Sequence, residues 1–537
     1  MKLKKELGFI DLFCVASGTM ISSGIFILPG LVYLDIGPSA FVAYILGSFL
    51  IIPAMLTKCE LATAMPKAGG TYFYIDRSMG AGFGTLGGFT SWLALCFKTA
   101  FALLGIGAFA TYISPDISLF QIKLIASVFC IFFTVINLLS SKHASNLQTI
   151  FVFGLLSILV LFIGMGIQEI DINNLAPFLR EGKNNYDLLA AAGLVFISYG
   201  GLTKIASLSE EVKNPARNIP LSMIASYLVV STLYALVVFV AVGVLGDGLV
   251  SEGVATLTPI SDSAAVFMGE WGKYLLATSA ILAFISTGNA GILTASRVPM
   301  AMSRDNLLPN IFTYIHPKFK TPFVGILFTS GFMLIIILFF DLKDLVKTAS
   351  TIMIMLFAVE NIALIIMRES SLPNYRPKFK SPFYPWTQIA GILIYILVII
   401  DMGVLPLTIT GLLLALGLLW YWIYGRIHSN RASALVHLVN NIMAKEIRTK
   451  TLNSELKDIL LERDEIIEDR FDKIIKDAII LDLKEATEME ATFKIIADAM
   501  SPRLNLSSAE IFELLIKRER ETSTIISPGL AIPHLIL

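Results

Sequence analysis

Charge is what this sequence has least of. Asp, Glu, Lys and Arg make up 15% of the 537 residues against 55% hydrophobic ones, and that charge is sparse up to Arg426 and dense after it. With a mean hydropathy of +0.76, a soluble globule is excluded and a polytopic membrane protein is expected. Cysteine is scarce too: Cys14, Cys59, Cys96 and Cys130 fall one to an apolar run, which gives neither a disulfide framework nor metal-ligand spacing. They read as small buried hydrophobes. There is no GxGxxG, Walker loop, CxxC or HExxH, and no basic patch interleaved with aromatics that would read nucleic acid. No enzyme activity, cofactor or metal is expected. The opening MKLKKELGF runs straight into a long apolar segment with no small-residue cleavage site, so it is expected to be retained.

What is present is apolar length. Runs of about 20 residues, the length that crosses a bilayer, recur at 8-33, 38-57, 82-113, 120-139, 147-168, 188-208, 222-246, 275-302, 321-341, 345-367, 386-403 and 405-425, twelve expected spans. Lys and Arg crowd the loops of one side, among them Lys58, Lys67, Arg77, Lys213, Arg217, Arg304 and Arg368. The opposite loops offer mainly Arg180, Lys183, Lys273 and Lys343. This bias orients both termini toward the cytoplasm of a multi-pass protein of the cytoplasmic membrane.

Two of the spans are interrupted. Span 1 contains VASGTMISSGIFILPG, with Gly18, Thr19, Ser22, Ser23 and Gly24 near mid-depth, and span 6 is interrupted at Gly200-Gly201 after Ser198 and Tyr199. A break in hydrocarbon is tolerable only where something uses the freed backbone groups. Spans 1 and 6 open two five-span halves, and interruptions at corresponding places point to the binding site of an inverted-repeat transporter. The N–H groups near Ser22 to Ile25 would face a carboxylate and the carbonyls near Phe196 to Gly200 an ammonium group, so the site suits a zwitterion. Close helix packing through small residues is the alternative reading of the same glycines.

Lys98 stands in the middle of span 3. Fourteen residues separate it from Gly84, about 21 Å of helix, too far for its stem to snorkel. An intramembrane lysine is a functional-site hypothesis by default, and Lys98, with Glu60 or Glu360, is a candidate for coupling or substrate contact. The alternative is a structural lysine bonded to backbone carbonyls. Lys204, a turn beyond the second break, reads as an inner-gate contact, and Ser286 and Thr287 in span 8 as candidate cation ligands.

Four motifs occur in order: GTMISSGIF, CELATAMPKAGGTYFYIDRSMG, SEEVKNPARNIP and MSRDNLLPNIFTYIHPKFKTP. Together they resemble the amino acid-polyamine-organocation superfamily of transporters over residues 8 to 426. The resemblance implies an α-amino acid held between Met20, Ile21, Ser22, Ser23, Gly24 and Ile25 on one side and Phe196, Ser198, Tyr199 and Gly200 on the other, with Phe196 or Tyr199 as lid. Some proton-coupled relatives place a lysine in span 5 where this chain has Leu155. The expected fold is an all-α membrane protein of twelve transmembrane helices, a LeuT-type 5+5 inverted repeat with helices 1 and 6 broken, plus a small cytoplasmic α/β extension. The expected function is a permease for small or neutral amino acids in the lipid bilayer, coupled to H+ or Na+ as symporter or antiporter. An amino-acid sensor without transport is a second reading.

Beyond the transporter domain (1-426) lie a charged amphipathic connector (427-475) and a compact pattern (476-537) with capping boxes at Thr487 to Glu490 and Ser507 to Glu510. FELLIKREREtSTIISPGLAIPH, with Thr522 in lower case, resembles the active-site approach of phosphotransferase-system enzyme IIA domains of fructose/mannitol and nitrogen-regulatory type. That resemblance makes His534 a candidate phosphoacceptor and phosphotransferase proteins candidate partners. The chain ends three residues past His534, so half such a domain is expected, and a phosphotransferase-linked regulatory protein is a third reading.

Overall fold

In hydrocarbon each backbone N–H and C=O must be bonded within the protein, which restricts long apolar runs to helices. A computed structural model of the chain follows that rule. It describes residues 5–428 other than 68, 113–116, 140–144, 252, 320 and 373; in the tail it describes mainly 489–521, 525–527, 530 and 531, with scattered positions between 433 and 481. The helices of the main unit are α1 (Phe9–Met20), α2 (Ser23–Phe26), α3 (Leu28–Ile36), α4 (Ala40–Ala64), α5 (Thr71–Met79), α6 (Ala81–Ala108), α7 (Leu119–Leu139) and α8 (Ser145–Gly166). They continue with α9 (Asn185–Val195), α10 (Thr203–Ser207), α11 (Pro215–Leu245), α12 (Pro259–Arg304), α13 (Phe323–Phe339), α14 (Leu342–Glu369), α15 (Trp386–Asp401) and α16 (Val404–Trp420). Among the described residues nine helical stretches are long and apolar enough to cross a membrane, accompanied by three shorter apolar helices, α1, α13 and α15. The twelve runs read from the sequence all fall on these helices.

Burial separates the centre from the rim. The most apolar stretch of α6 is 83% buried inside the protein and that of α16 only 17%, so α6 is an interior helix and α16 an outward one. Around α6 pack α5, α12 and α14, while α1 packs on α11 and on the short segment that follows α9. The four cysteines are all buried and free, as small hydrophobes in a helical core.

Both breaks differ from their expected form. α1 runs through Gly18 and Thr19 to Met20; the chain leaves the helix at Ile21, which is extended, and at Ser22, whose φ of −150° and ψ of −144° are not helical. It breaks again at Ile27 (φ −120°, ψ −45°) before α3. The second-half helix is not unwound at Gly200-Gly201. It tightens instead into a 3-10 helix over Phe196–Leu202 and resumes as α10. Seven residues is long for this conformation, which seldom exceeds three or four. The Thr19 and Tyr234 hydroxyls lie 3.4 and 3.5 Å from the segment's Gly201 and Ser198 carbonyls while donating at 2.6 Å to the Val15 and Met20 carbonyls.

The segment after α4, whose aromatics suit a membrane interface, is buried instead: in α5, Tyr72, Phe73 and Tyr74 are all core residues. Tyr72 donates to Asp305 Oδ2 at 2.6 Å, and Arg77, itself paired with Asp76, lies 3.9 Å from Asp305. At the same end of the bundle the backbone of Leu7 bridges Val212, with Lys213 N–H donating to Leu7 C=O at 2.9 Å, and Ser209 donates to the Lys67 carbonyl at 3.1 Å.

The chain divides into two compact units, 1–464 and 465–537. In the second, the helices Met489–Leu504 and Ser508–Glu521 enclose a small core of Phe493, Ala497, Ile511 and Leu515. A short antiparallel hairpin pairs Ile525–Ser527 with Leu530–Ala531. The Ser507–Glu510 capping box forms in both directions, and the Ser507 hydroxyl and N–H hold the Glu510 carboxyl below its usual range. Thr487 and His534 lie outside the described residues, as does most of 427–475.

Candidate functional site

The two interrupted helices meet face to face. A Cβ built on Gly24 would lie 2.9 Å from the Ser198 Cα, and one built on Gly201 would lie 2.6 Å from the backbone nitrogen of Met20. Only glycine permits this approach, so both the close packing and the backbone break come from the same residues. Met20, Ile21, Ser22, Ser23, Gly24 and Ile25 belong to the first of these segments and Phe196, Ser198, Tyr199 and Gly200 to the second, and all ten are buried.

At the first break, the earliest bond of the outer half is Ile25 N–H to Ser22 C=O at 3.1 Å. The N–H groups of Ser23 and Gly24 therefore lack an intrahelical acceptor. Beside them the Ser22 and Ser198 hydroxyls are buried and without a hydrogen-bond partner. The expected positive macrodipole is weak, because α2 has only four residues before Ile27 interrupts the axis and few peptide dipoles add up. Individual N–H and O–H groups, rather than a long helix end, are what this break offers to an anion.

Three tyrosines, of which the sequence singles out only Tyr199, hold the freed carbonyls, or each other. Tyr44 donates to Gly24 C=O at 2.6 Å, Tyr234 to Met20 C=O at 2.6 Å, and Tyr199 to the Tyr44 carbonyl at 2.8 Å. Tyr234 stacks edge-on with both others, ring centres 5.7 and 5.4 Å away. Of the two lid candidates, Phe196 and Tyr199, the second has its hydroxyl committed to the scaffold. Phe196 packs edge-on against Phe357 and Tyr395. The signal that was available for Tyr44 and Tyr234 is a polar aromatic ring inside a membrane run.

Lys98 comes to the second break. Its ammonium nitrogen is buried without a partner, 3.5 Å from where a Gly200 Cβ would be. Neither suggested carboxylate reaches it. Glu60 receives both Arg368 Nε and Nη2, at 2.6 and 2.5 Å, and the Ser381 N–H at 2.6 Å. Glu360 binds Lys58 at 2.5 Å, and the Lys58 ammonium lies 4.3 Å from the centre of the Phe357 ring. Both acids thus serve ion pairs between α4 and α14, away from Lys98. Ser286 and Thr287 are not brought together: Ser286 is exposed on the face of α12 that carries exposed Leu282, whereas the Thr287 hydroxyl is buried and unpartnered. A separate cavity of about 310 Å³ lies among Phe89, Trp92, Met302, Phe312, Phe328 and Trp420. Its lining is wholly apolar, unsuited to a zwitterion. Among the described residues no group of His, Cys, Asp and Glu could hold a metal ion.

Residues 7–426 match the family model described as amino acid permease. The chain is 26% identical over 448 residues to the branched-chain amino acid permease BcaP of Bacillus subtilis (strain 168), covering 80% of this chain and 94% of that protein. It is 28% identical over 402 residues to the serine/threonine exchanger SteT of the same organism, covering 73% and 89%. It is also 28% identical over 388 residues to cationic amino acid transporter 5 of Arabidopsis thaliana, covering 68% and 66%.

Proposed function

Because the chain belongs to the amino acid permease family, we propose that it is a secondary active transporter moving an amino acid across the cytoplasmic membrane by alternating access. The site is the junction of the two broken helices. The observation that carries this reading is the pair of buried, unpartnered hydroxyls of Ser22 and Ser198, set beside the unbonded N–H groups of Ser23 and Gly24. Hydrogen-bond donors left without acceptors inside a protein cost about 1–3 kcal/mol each. A carboxylate, which only accepts, satisfies several at once. The α-ammonium group then faces the carbonyls of the 3-10 segment.

The two breaks open the two five-span halves, which supports a LeuT-type inverted repeat of twelve helices with the basic end cytoplasmic. No free carboxylate stands among the residues at the breaks, which disfavours a cationic substrate side chain and leaves the small or neutral amino acids favoured on sequence grounds. Lys98 is the candidate coupling group, with H+ before Na+, since Ser286 and Thr287 do not converge. Residues 427-475 are a connector, and 476-537 an enzyme IIA-like regulatory extension whose partners are phosphotransferase proteins.

The deciding experiment is counterflow in proteoliposomes preloaded with each standard amino acid. Exchange of at least one is expected. Binding, seen as a ligand-dependent thermal shift, without any counterflow would replace transport with sensing. Labelled phosphate on His534 after incubation with the general phosphocarrier proteins is expected only if the tail is a functioning phosphoacceptor.

A further inference from the structure

The buried acids of the main unit are paired with cations: Glu60 with Arg368, Glu360 with Lys58, and Asp76 with Arg77. The cations near the second break are not so matched. Lys98 Nζ is buried without a partner beside Gly200. Lys204 follows Gly200 by four residues, in the first turn of α10, and its ammonium group is the nearby charge acting on Lys98. The nearby charge acting on Lys204 is in turn the Arg297 guanidinium. Among the described residues none of the three makes an ion pair. Lys98 and Lys204 thus stand at the break without an ion pair, whereas Arg297 of α12 is exposed.

The stem of Lys98 keeps partial exposure, while its neighbours Phe97 and Thr99 are buried. Ser91 and Leu95, on the same face of α6, are also partly exposed. The tip of Lys98 on this face lies beside buried Gly200. Uncompensated cations in such a place are costly, and an ion of opposite sign with good hydrogen bonds offsets that cost.

We infer that the transported amino acid has an acidic side chain, whose carboxylate is held by the ammonium groups of Lys98 and Lys204. This rests on the amino-acid transport reading and replaces a neutral side chain by an anionic one. The α-carboxylate stays at Ser22, Ser23 and Gly24; the second carboxylate lies beside Gly200, where α6 contributes its lysine. Aspartate and glutamate therefore differ from asparagine and glutamine by a charge-assisted bond in place of an amide facing two cations. That difference corresponds to about tenfold or more in affinity.

The test uses the full chain in proteoliposomes and measures counterflow of labelled L-glutamate and L-aspartate against L-glutamine, L-asparagine, L-serine and L-leucine. The acidic pair is expected to exchange with half-saturation at least tenfold lower than the amides. Lys98→Met is expected to pull that ratio toward one; where this variant does not fold, Lys204→Gln carries the same expectation. Exchange of neutral amino acids in preference to the acidic ones, or a ratio unmoved by either substitution, overturns the acidic-substrate inference and leaves transport standing. If none of the six exchanges, and the protein is folded by thermal melt, the inference fails; the reading beneath it fails as well only if none of the remaining standard amino acids exchanges.

Discussion

At the scale of single residues, the interior of this protein distinguishes charges that hold it together from polar groups left open. The Lys58–Glu360 pair is of the first kind: 2.5 Å long, both side chains buried, with Lys58 also over the Phe357 ring. Removing one partner strands the other, so Lys58→Met or Glu360→Leu alone is expected to cost about 3–5 kcal/mol. The double substitution is expected to be less damaging than either single one, as read from thermal inactivation midpoints in detergent. Ser22 is of the second kind, its hydroxyl buried with no partner. Ser22→Gly should leave the fold intact and change the relative affinities for amino acids of different size, measured by competition in counterflow. An unchanged affinity series would make the residue scaffolding.

At the scale of elements, the site exists because two helices approach within the reach of a missing methyl group. Gly201→Ala would set a Cβ 2.6 Å from the Met20 nitrogen and 2.8 Å from the Thr19 carbonyl carbon, backbone atoms that cannot swing aside. This variant is expected to lose most counterflow while still reaching the membrane. Gly331→Ala, with open space around its Cβ, should be silent or stabilise α13 by up to about 1 kcal/mol. That contrast also marks what sequence could tell. Gly24 and Gly201 announce themselves as small residues where a span should be greasy, and the intramembrane position of Lys98 follows from counting residues. The hydroxyls of Tyr44 and Tyr234 do not, because their acceptors lie 20 and 214 residues away along the chain and only packing chooses them. For the same reason Glu60 and Glu360 looked available to Lys98: the cations that claim them, Arg368 and Lys58, are each about 300 residues distant from their acids, at separations of 308 and 302. The extent of the 3-10 segment was equally illegible, since Gly200-Gly201 marks a weak point but not how the backbone responds to it.

At the scale of the whole molecule, the permease unit and the tail are separate compact bodies. A chain ended after Asp464 is therefore expected to retain substrate counterflow, with any loss in regulation rather than turnover. Collapse of transport in this truncation, with normal membrane insertion, would make the tail a structural part of the carrier. The permease unit must still move, and the segment Phe196–Leu202 supplies a measure of how far. A 3-10 helix rises about 2.0 Å per residue and an α-helix 1.5 Å, so seven residues passing from one to the other shorten by about 3.5 Å. The same change of pitch, from 120° to 100° per residue, turns the far end by roughly 140°. The second-half helix thus carries a few ångströms of slack and roughly two-fifths of a revolution of twist, wound into one short stretch. Such a segment behaves as a screw: drawing it in would carry Lys204 around the axis relative to Phe196, at the start of the segment, without unfolding anything on either side.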